Sequence, residues 1–324
     1  MKLSIIIVTW NSADRIERCL RSIKQSDYSN SSEIIVIDNA SGDATPDILS
    51  SFENIIHTRN TANLGFATAN NQGYVQSSGQ YVLLLNDDVI LEKNTLNELV
   101  NYLDNNGSAG GVTCRYHNPD GTIQYGYHRL LPTMGRMIAS FFHHYLGITL
   151  TSAKNFLMLE DSFDEEKVIE QAACTCLMLR RSAIEKSGGL LDEDLPIYFN
   201  DVDLSHRLIK EGQLVWLVPT TAIIHDHGQS TNRLDPYWNK REYYLSLFRY
   251  YKKYNRKGDL FVSRLFFIWM LWIVYGLTYA GVLRNYFGTE ISDRKRSMAQ
   301  QRAVIKALTA NQPTTHLPQT PINS

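Results

Sequence analysis

Leu3-Ser4-Ile5-Ile6-Ile7-Val8-Thr9-Trp10-Asn11-Ser12 decides the fold. Its first six residues form a short, largely β-branched run, the pattern of a strand covered on both faces in a parallel sheet. Polar residues end it at Thr9. Behind Asn11 and Ser12, both able to cap a helix, Ile16, Cys19, Leu20 and Ile23 share one helical face. A strand followed by a helix that packs back on it is one βα unit.

The unit recurs. Residues 33–37 read as a strand ending in Asp38-Asn39, residues 46–52 as a short helix with proline in its first turn, and residues 54–57 as another strand. Residues 66–78 read as helix and Tyr81-Val82-Leu83-Leu84-Leu85 as a buried strand. This alternation predicts an α/β fold, a Rossmann-like, mostly parallel sheet flanked by helices, with ligands gathered at the carboxyl ends of the strands. Residues 116–165 carry Gly, Pro, His and aromatic residues without a period and read as an irregular lid or acceptor region. Order returns over 168–180, in a helix from about Asp201, and in a strand at 214–218.

The chain of 324 residues has a formal charge of −1, so it lacks the basic excess that nucleic-acid binding needs. Cys19, Cys114, Cys174 and Cys176 fit no zinc spacing, and no secretory signal precedes the first strand, so they read as reduced thiols in a core. Residues 265–283 contain no charge and are flanked on both sides by Lys and Arg. As a helix they would extend about 28 Å, close to the ~30 Å hydrocarbon thickness. Trp269, Trp272, Tyr275 and Tyr279 lie in the middle of that stretch rather than at its ends. That favours interfacial or re-entrant attachment to a membrane over spanning, with packing on the catalytic domain as a third reading. The division expected is a catalytic domain at 1–235 (halves 1–115 and 116–235), a helical membrane-associating region at 236–307 and a disordered tail at 308–324.

Four polar constellations stand at the ends of these elements. Asp38 follows a buried strand and can accept from a base N–H or a ribose hydroxyl, or can simply form an Asx turn into Ser41-Gly42-Asp43. Asn86-Asp87-Asp88 ends the strand at 81–85, and two adjacent carboxylates with no basic residue beside them in sequence repel each other. Mg2+ or Mn2+ bridging to a diphosphate would neutralise that charge; a solvated turn is the alternative. Asn200-Asp201-Val202-Asp203 opens a helix, where capping explains one carboxylate and a general base would explain the other. His225-Asp226-His227-Gly228-Gln229-Ser230, read as a loop beyond Pro219, could supply one metal ligand or phosphate contact.

In order and form, these segments resemble the family 2 glycosyltransferases of GT-A fold, in particular the rhamnosyltransferase-like branch that builds bacterial surface polysaccharides. The matching segments also include Asn63-Leu64-Gly65-Phe66, Asn70-Asn71-Gln72-Gly73 and Gly188-Gly189-Leu190-Leu191-Asp192-Glu193, and the resemblance covers roughly residues 3–231. It implies that Thr9, Asn11 and Asp38 line a nucleoside pocket and that Asn63, Gly65, Asn86 and Asp87 lie at the donor sugar-nucleotide. It further implies that Asp88 binds Mg2+ or Mn2+ with help from His225, and that Asp201 is the catalytic base of an inverting transfer. The branch commonly has Glu-Asp where Asn200-Asp201 stands, and an aromatic pair where Leu195-Pro196-Ile197-Tyr198-Phe199 stands. The expected donor is dTDP-rhamnose, the acceptor a glycan or a lipid-diphosphate-linked saccharide, and the location the cytoplasmic face of a bacterial inner membrane. A nucleotidyltransferase would bring a Gly-rich basic loop after its first strand, which Thr9-Trp10-Asn11-Ser12 is not; a non-catalytic sugar-nucleotide-binding protein is the other alternative.

Overall fold

The computed structural model describes residues 2–28, 31–226, 235–254, 257–279 and 291–309. β1 (Leu3–Thr9) lies between β2 (Ser32–Asp38) and β4 (Tyr81–Asn86), parallel to both, with β3 (Ile55–Arg59) parallel on the far side of β2. Ile5, Ile6 and Ile7 are fully buried, so the β-branched run is the centre of the sheet, as its lack of alternation requires. The covering helices are α1 (Ile16–Lys24), α2 (Thr45–Ser50) and α3 (Phe66–Gln76). A Cβ on Gly73 of α3 would stand 2.5 Å from Ile6 Cγ2. Glycine therefore lets this helix sit against β1, at the cost of about 1 kcal/mol in helix propensity.

Beyond β4 the sheet becomes mixed. β10 (Cys176–Arg180) runs antiparallel between β4 and β6 (Ala109–His117), and β6 pairs in parallel with β11 (Leu214–His225). The outer edge of β11 is shared by β5 (Val89–Leu91) and β8 (Lys167–Ile169), both antiparallel to it. The full order is β3-β2-β1-β4-β10-β6-β11-β5. α4 (Thr95–Asn105) packs on β6 and β11.

Two expectations about the second half need correction. Residues 116–165 are not irregular: they hold β7 (His128–Arg129), α5 (Met134–Leu146) and α6 (Thr151–Leu157). α5 is capped by Thr133, whose hydroxyl accepts from Arg136 N, and stops at Gly147 in the left-handed region, φ 67. The last strand does not stop at residue 218 either. β11 continues past Pro219 to His225 because a register shift between Val218 and Ala222 carries the proline. His225 is therefore a strand residue, paired with Val89 of β5.

β9 (Gln171–Ala172) pairs with β7, and α7 (Arg181–Lys186) and α8 (Asn200–Lys210) follow. The chain ends, within the described residues, in α9 (Pro236–Lys253), α10 (Lys257–Tyr279) and a helix numbered α11 here (Ile291–Thr309). One apolar cluster joins Leu247 and Tyr251 of α9, Phe267 and Leu271 of α10 and Ile305 of α11 to Phe141, Phe156, Phe199 and Val202. The C-terminal helices thus buttress α8, which carries Asp201. His227, Gly228 and Ser230, and most of the tail expected at 308–324, lie outside the described residues.

Candidate active site

A cavity of about 390 Å3 opens at the carboxyl ends of β1 and β4. Thr9, Asn63, Gly65, Asn86, Asp87, Asp88, Asp201 and His225 all line it, so residues from Thr9 to His225 converge where an α/β sheet presents ligands. Asn11 and Asp38 do not; they form the layer behind. Asn11 Oδ1 accepts from Gly42 N at 2.8 Å, and its own N–H donates to Ser41 Oγ. Asp38 is fully buried, and its Oδ1 accepts from Ser41 N at 3.0 Å, which is the turn-forming half of the sequence reading. Its Oδ2 has no hydrogen-bond partner, with Arg59 Nε 3.4 Å away. Asn39, the next residue, takes the place at the wall and ties down the loop that holds Asn63 and Gly65: its amide donates to Gly65 O at 3.2 Å. Gly65 has φ 87 and ψ 168, backbone that only glycine adopts readily.

The adjacent carboxylates separate into different environments. Asp87 has a basic neighbour that its sequence flanks do not show: Arg15, only 2% exposed, whose Nε lies 3.2 Å from Asp87 Oδ1. Ser12 Oγ donates to the other oxygen. Burial pushes the Asp87 carboxyl up, Arg15 pulls it down and the Asp88 charge adds to the rise. Removing one partner would strand a buried charge. Arg15→Ala is expected to destabilise the protein by roughly 3–5 kcal/mol, read as a lower urea midpoint.

Asp88 points elsewhere. Its Oδ1 has no hydrogen-bond partner among the described residues and lies 3.2 Å from His225 Nε2, because the β11–β5 register sets His225 opposite Val89. Gln124 fixes the imidazole. Its Nε2 donates to the backbone carbonyl of His225 at 3.1 Å and to Asn118 Oδ1, so its Oε1 is the atom facing His225 Nδ1 at 2.7 Å. A proton therefore sits on Nδ1, and Nε2 faces a carboxylate oxygen. A cation between these two atoms would stabilise the arrangement, and the outer hydrogen bond from Gln124 is of the kind that orients a ligating histidine.

Asp201 stands in the first turn of α8, after Phe199, a bulky residue held at φ 63 in the left-handed region. Its Oδ2 accepts from Gln171 Nε2 at 2.9 Å and its Oδ1 from Val202 N at 2.8 Å. The side chain is partly open to the cavity yet ringed by protein. Desolvation raises its pKa above the ordinary carboxylate value, and Arg129, also on the cavity wall, works against that rise. Two residues on, Asp203 is fully buried and bonded to Arg207 Nε at 2.8 Å, Lys253 Nζ at 2.7 Å and Tyr254 OH at 2.8 Å. Arg207 in turn donates to the carbonyls of Ser187, Gly189 and Leu190. This network fixes the start of α8 to the Gly188-Gly189 turn and to α9. Asn200, in place of an acidic residue, is buried and donates weakly to Leu195 O.

Arg15, Gln124, Arg129 and Gln171 were not among the expected site residues. Only Arg15 carried a signal in the sequence, as a cation one turn after the first strand; the other three lie in or beside the stretch that has no period. All four cysteines are free and buried; burial pushes the thiols of Cys19, Cys114 and Cys174 up, as core positions require, although Cys174 also borders the cavity.

Comparison with known proteins agrees with this geometry. The family described as "Glycosyl transferase family 2" matches residues 4–188. A Mycobacterium tuberculosis protein named N-acetylglucosaminyl-diphospho-decaprenol L-rhamnosyltransferase is 30% identical over 248 residues, covering 72% of this chain and 78% of the relative. Rhamnosyltransferase WbbL of Escherichia coli K12 is 25% identical over 255 residues, 76% of this chain and 91% of the relative. Among solved structures, a mannosyltransferase from Pyrobaculum calidifontis in complex with GDP-Man and Mn2+ superposes with a TM-score of 0.56 at 16% identity, over 96% of this chain and 86% of that one. Staphylococcus aureus TarS 1–349 superposes with 0.53 at 15% identity, over 96% and 92%. The structural likenesses establish the GT-A fold, and with the sequence matches they place this chain in glycosyltransferase family 2.

Proposed function

We propose that the chain is a metal-dependent, inverting rhamnosyltransferase that moves rhamnose from dTDP-rhamnose to a hydroxyl of a lipid-diphosphate-linked saccharide in surface-polysaccharide synthesis, at the cytoplasmic face of the bacterial inner membrane. The observation that carries the reading is that Asp88 with His225, and Asp201 with Gln171, open on one cavity at the carboxyl edge of the sheet. Two rhamnosyltransferases among the relatives support the sugar, and the diphospho-decaprenol in the name of one supports the acceptor class.

Asp88 and His225 would hold Mg2+ or Mn2+. Among the described residues no group of three or more His, Cys, Asp or Glu is placed to hold a metal ion, which suits a cation that takes its remaining ligands from diphosphate and water. A cation held there would supply neutralisation of the charge that develops on the departing nucleoside diphosphate, the largest contribution expected here. Asp201 removes the proton from the acceptor hydroxyl as that oxygen attacks the anomeric carbon from the face opposite the diphosphate. Gln171 and Val202 N hold its carboxylate, and its raised pKa strengthens it as a base. Thr9, Asn63, Gly65 and Asn86 would border the donor, while Asn11 and Asp38 hold the loop behind it.

A panel of nucleotide-sugars with Mg2+ or Mn2+ tests the reading by donor consumption. The expected result is turnover of dTDP-rhamnose that ends on EDTA addition and resumes with Mn2+. Preference for a UDP- or GDP-sugar would overturn the donor, and undiminished turnover in EDTA would overturn the metal.

A further inference from the structure

The outer face of α10 is exposed in a way that neither the fold nor the cavity requires. Phe261, Leu265, Trp269, Trp272 and Tyr279 follow one another at intervals of four, four, three and seven residues and are 65, 56, 59, 47 and 76% exposed. The opposite face, Phe267, Met270, Leu271 and Val274, is at most 3% exposed and packs in the cluster shared with α9, α11 and α5. A helix apolar on both faces is normally covered on both, and here the described residues cover one. Aromatic residues dominate the uncovered face.

A second feature adjoins it. Tyr275, which meets Trp272 edge to face at 5.6 Å, forms one wall of a groove of about 560 Å3 whose other wall is α11, with Met298, Arg302 and Lys306. Arg302 and Lys306 are exposed and one helical turn apart. The groove therefore sets two cations beside a row of indole and phenol rings, the combination that meets phosphate headgroups above and acyl chains below at a bilayer surface.

We propose that α10 is the membrane-docking face of this protein: it lies in the plane of an anionic bilayer with Phe261, Leu265, Trp269, Trp272 and Tyr279 among the acyl chains, and the Arg302–Lys306 groove takes lipid phosphate. A spanning orientation does not fit, because α9 and α11, which bear Arg249, Lys252, Arg302 and Lys306, are packed on the inner face of α10 and would enter the hydrocarbon with it. The inference deepens the lipid-linked acceptor reading by naming the surface that brings the cavity to the lipid. Vesicle binding involves no turnover, so either reading can fail without the other.

The test is flotation of the full-length protein with phosphatidylcholine vesicles and with vesicles containing roughly a third phosphatidylglycerol, followed by indole emission. The wild type should float with the anionic vesicles, with a blue-shifted emission, and much less with phosphatidylcholine alone. Trp269→Glu/Trp272→Glu should lower the partition coefficient at least ~10-fold. Arg302→Glu/Lys306→Glu should remove the preference for phosphatidylglycerol. Melting temperatures close to wild type, expected because all four side chains are at the surface, show that each variant folds. Unchanged flotation of the tryptophan double variant would overturn the proposal. So would resistance of the bound wild type to alkaline extraction, the mark of a spanning helix, or a wild-type dimer that floats with neither vesicle and becomes monomeric in the tryptophan variant.

Discussion

Asp201→Asn is expected to lower kcat of sugar transfer by at least ~10²–10⁴-fold, the usual contribution of a positioned general base, while leaving the dissociation constant of the donor nucleotide within about twofold of wild type. The substitution preserves shape. Asn Oδ1 can still accept from Val202 N, and Gln171 can turn its amide to offer Oε1 to the new Nδ2. What disappears is the basic lone pair. Stopped-assay product formation with either intact acceptor or a soluble analogue measures kcat, and titration of nucleotide without acceptor measures binding; retained turnover would remove Asp201 from the base role.

The same substitution should alter two pH dependences. The base acts deprotonated, and burial raises its pKa. The acidic limb of kcat against pH should therefore lie above the ordinary carboxylate range and vanish from the residual activity of Asp201→Asn. For stability, a folded pKa above the unfolded one means that the folded state holds the proton more tightly. The contribution of Asp201 is thus fully present below its unfolded pKa and is lost as pH rises through its folded pKa. At neutral pH the asparagine variant is relieved of the cost of the buried charge. Its melting temperature should be no lower than wild type, so lost activity is not lost fold.

The parallel half of the sheet was readable because burial on both faces leaves a β-branched run, and the short βα loops fix neighbours. Strand direction beyond β4 was not. The apolar run of β10 reads identically in either direction, and only the course of the chain between β6 and β10 makes it antiparallel. α5 and α6 were missed because their apolar faces meet the C-terminal helices rather than the sheet, so no nearby strand supplied a frame for reading them. Pro219 reads as a strand end because proline removes a ladder donor; the register shift that accommodates it is invisible in sequence and is what places His225 beside Asp88. The acidic pair was legible as a site, but its division of labour was not, since Arg15 reaches Asp87 across 72 positions of sequence.

That division predicts opposite phenotypes for neighbouring residues. Asp87→Ala strands Arg15 in the interior and should cost roughly 3–5 kcal/mol of stability. Asp88→Ala removes a carboxylate whose Oδ1 makes no hydrogen bond among the described residues, so the fold and its melting temperature should be little changed. Its cost should fall instead on the diphosphate. In the wild type, Mn2+ should tighten binding of dTDP by about tenfold or more, whereas in Asp88→Ala calorimetric titration with and without Mn2+ should give the same affinity, and kcat should fall by about 10²–10³-fold. His225→Ala should show a partial loss of both, because Asp88 remains to hold the cation while the imidazole beside it is gone. If Mn2+ tightened dTDP equally in wild type and Asp88→Ala, the cation would have to sit elsewhere, and the unpaired oxygen of Asp88 would need another partner from the donor itself.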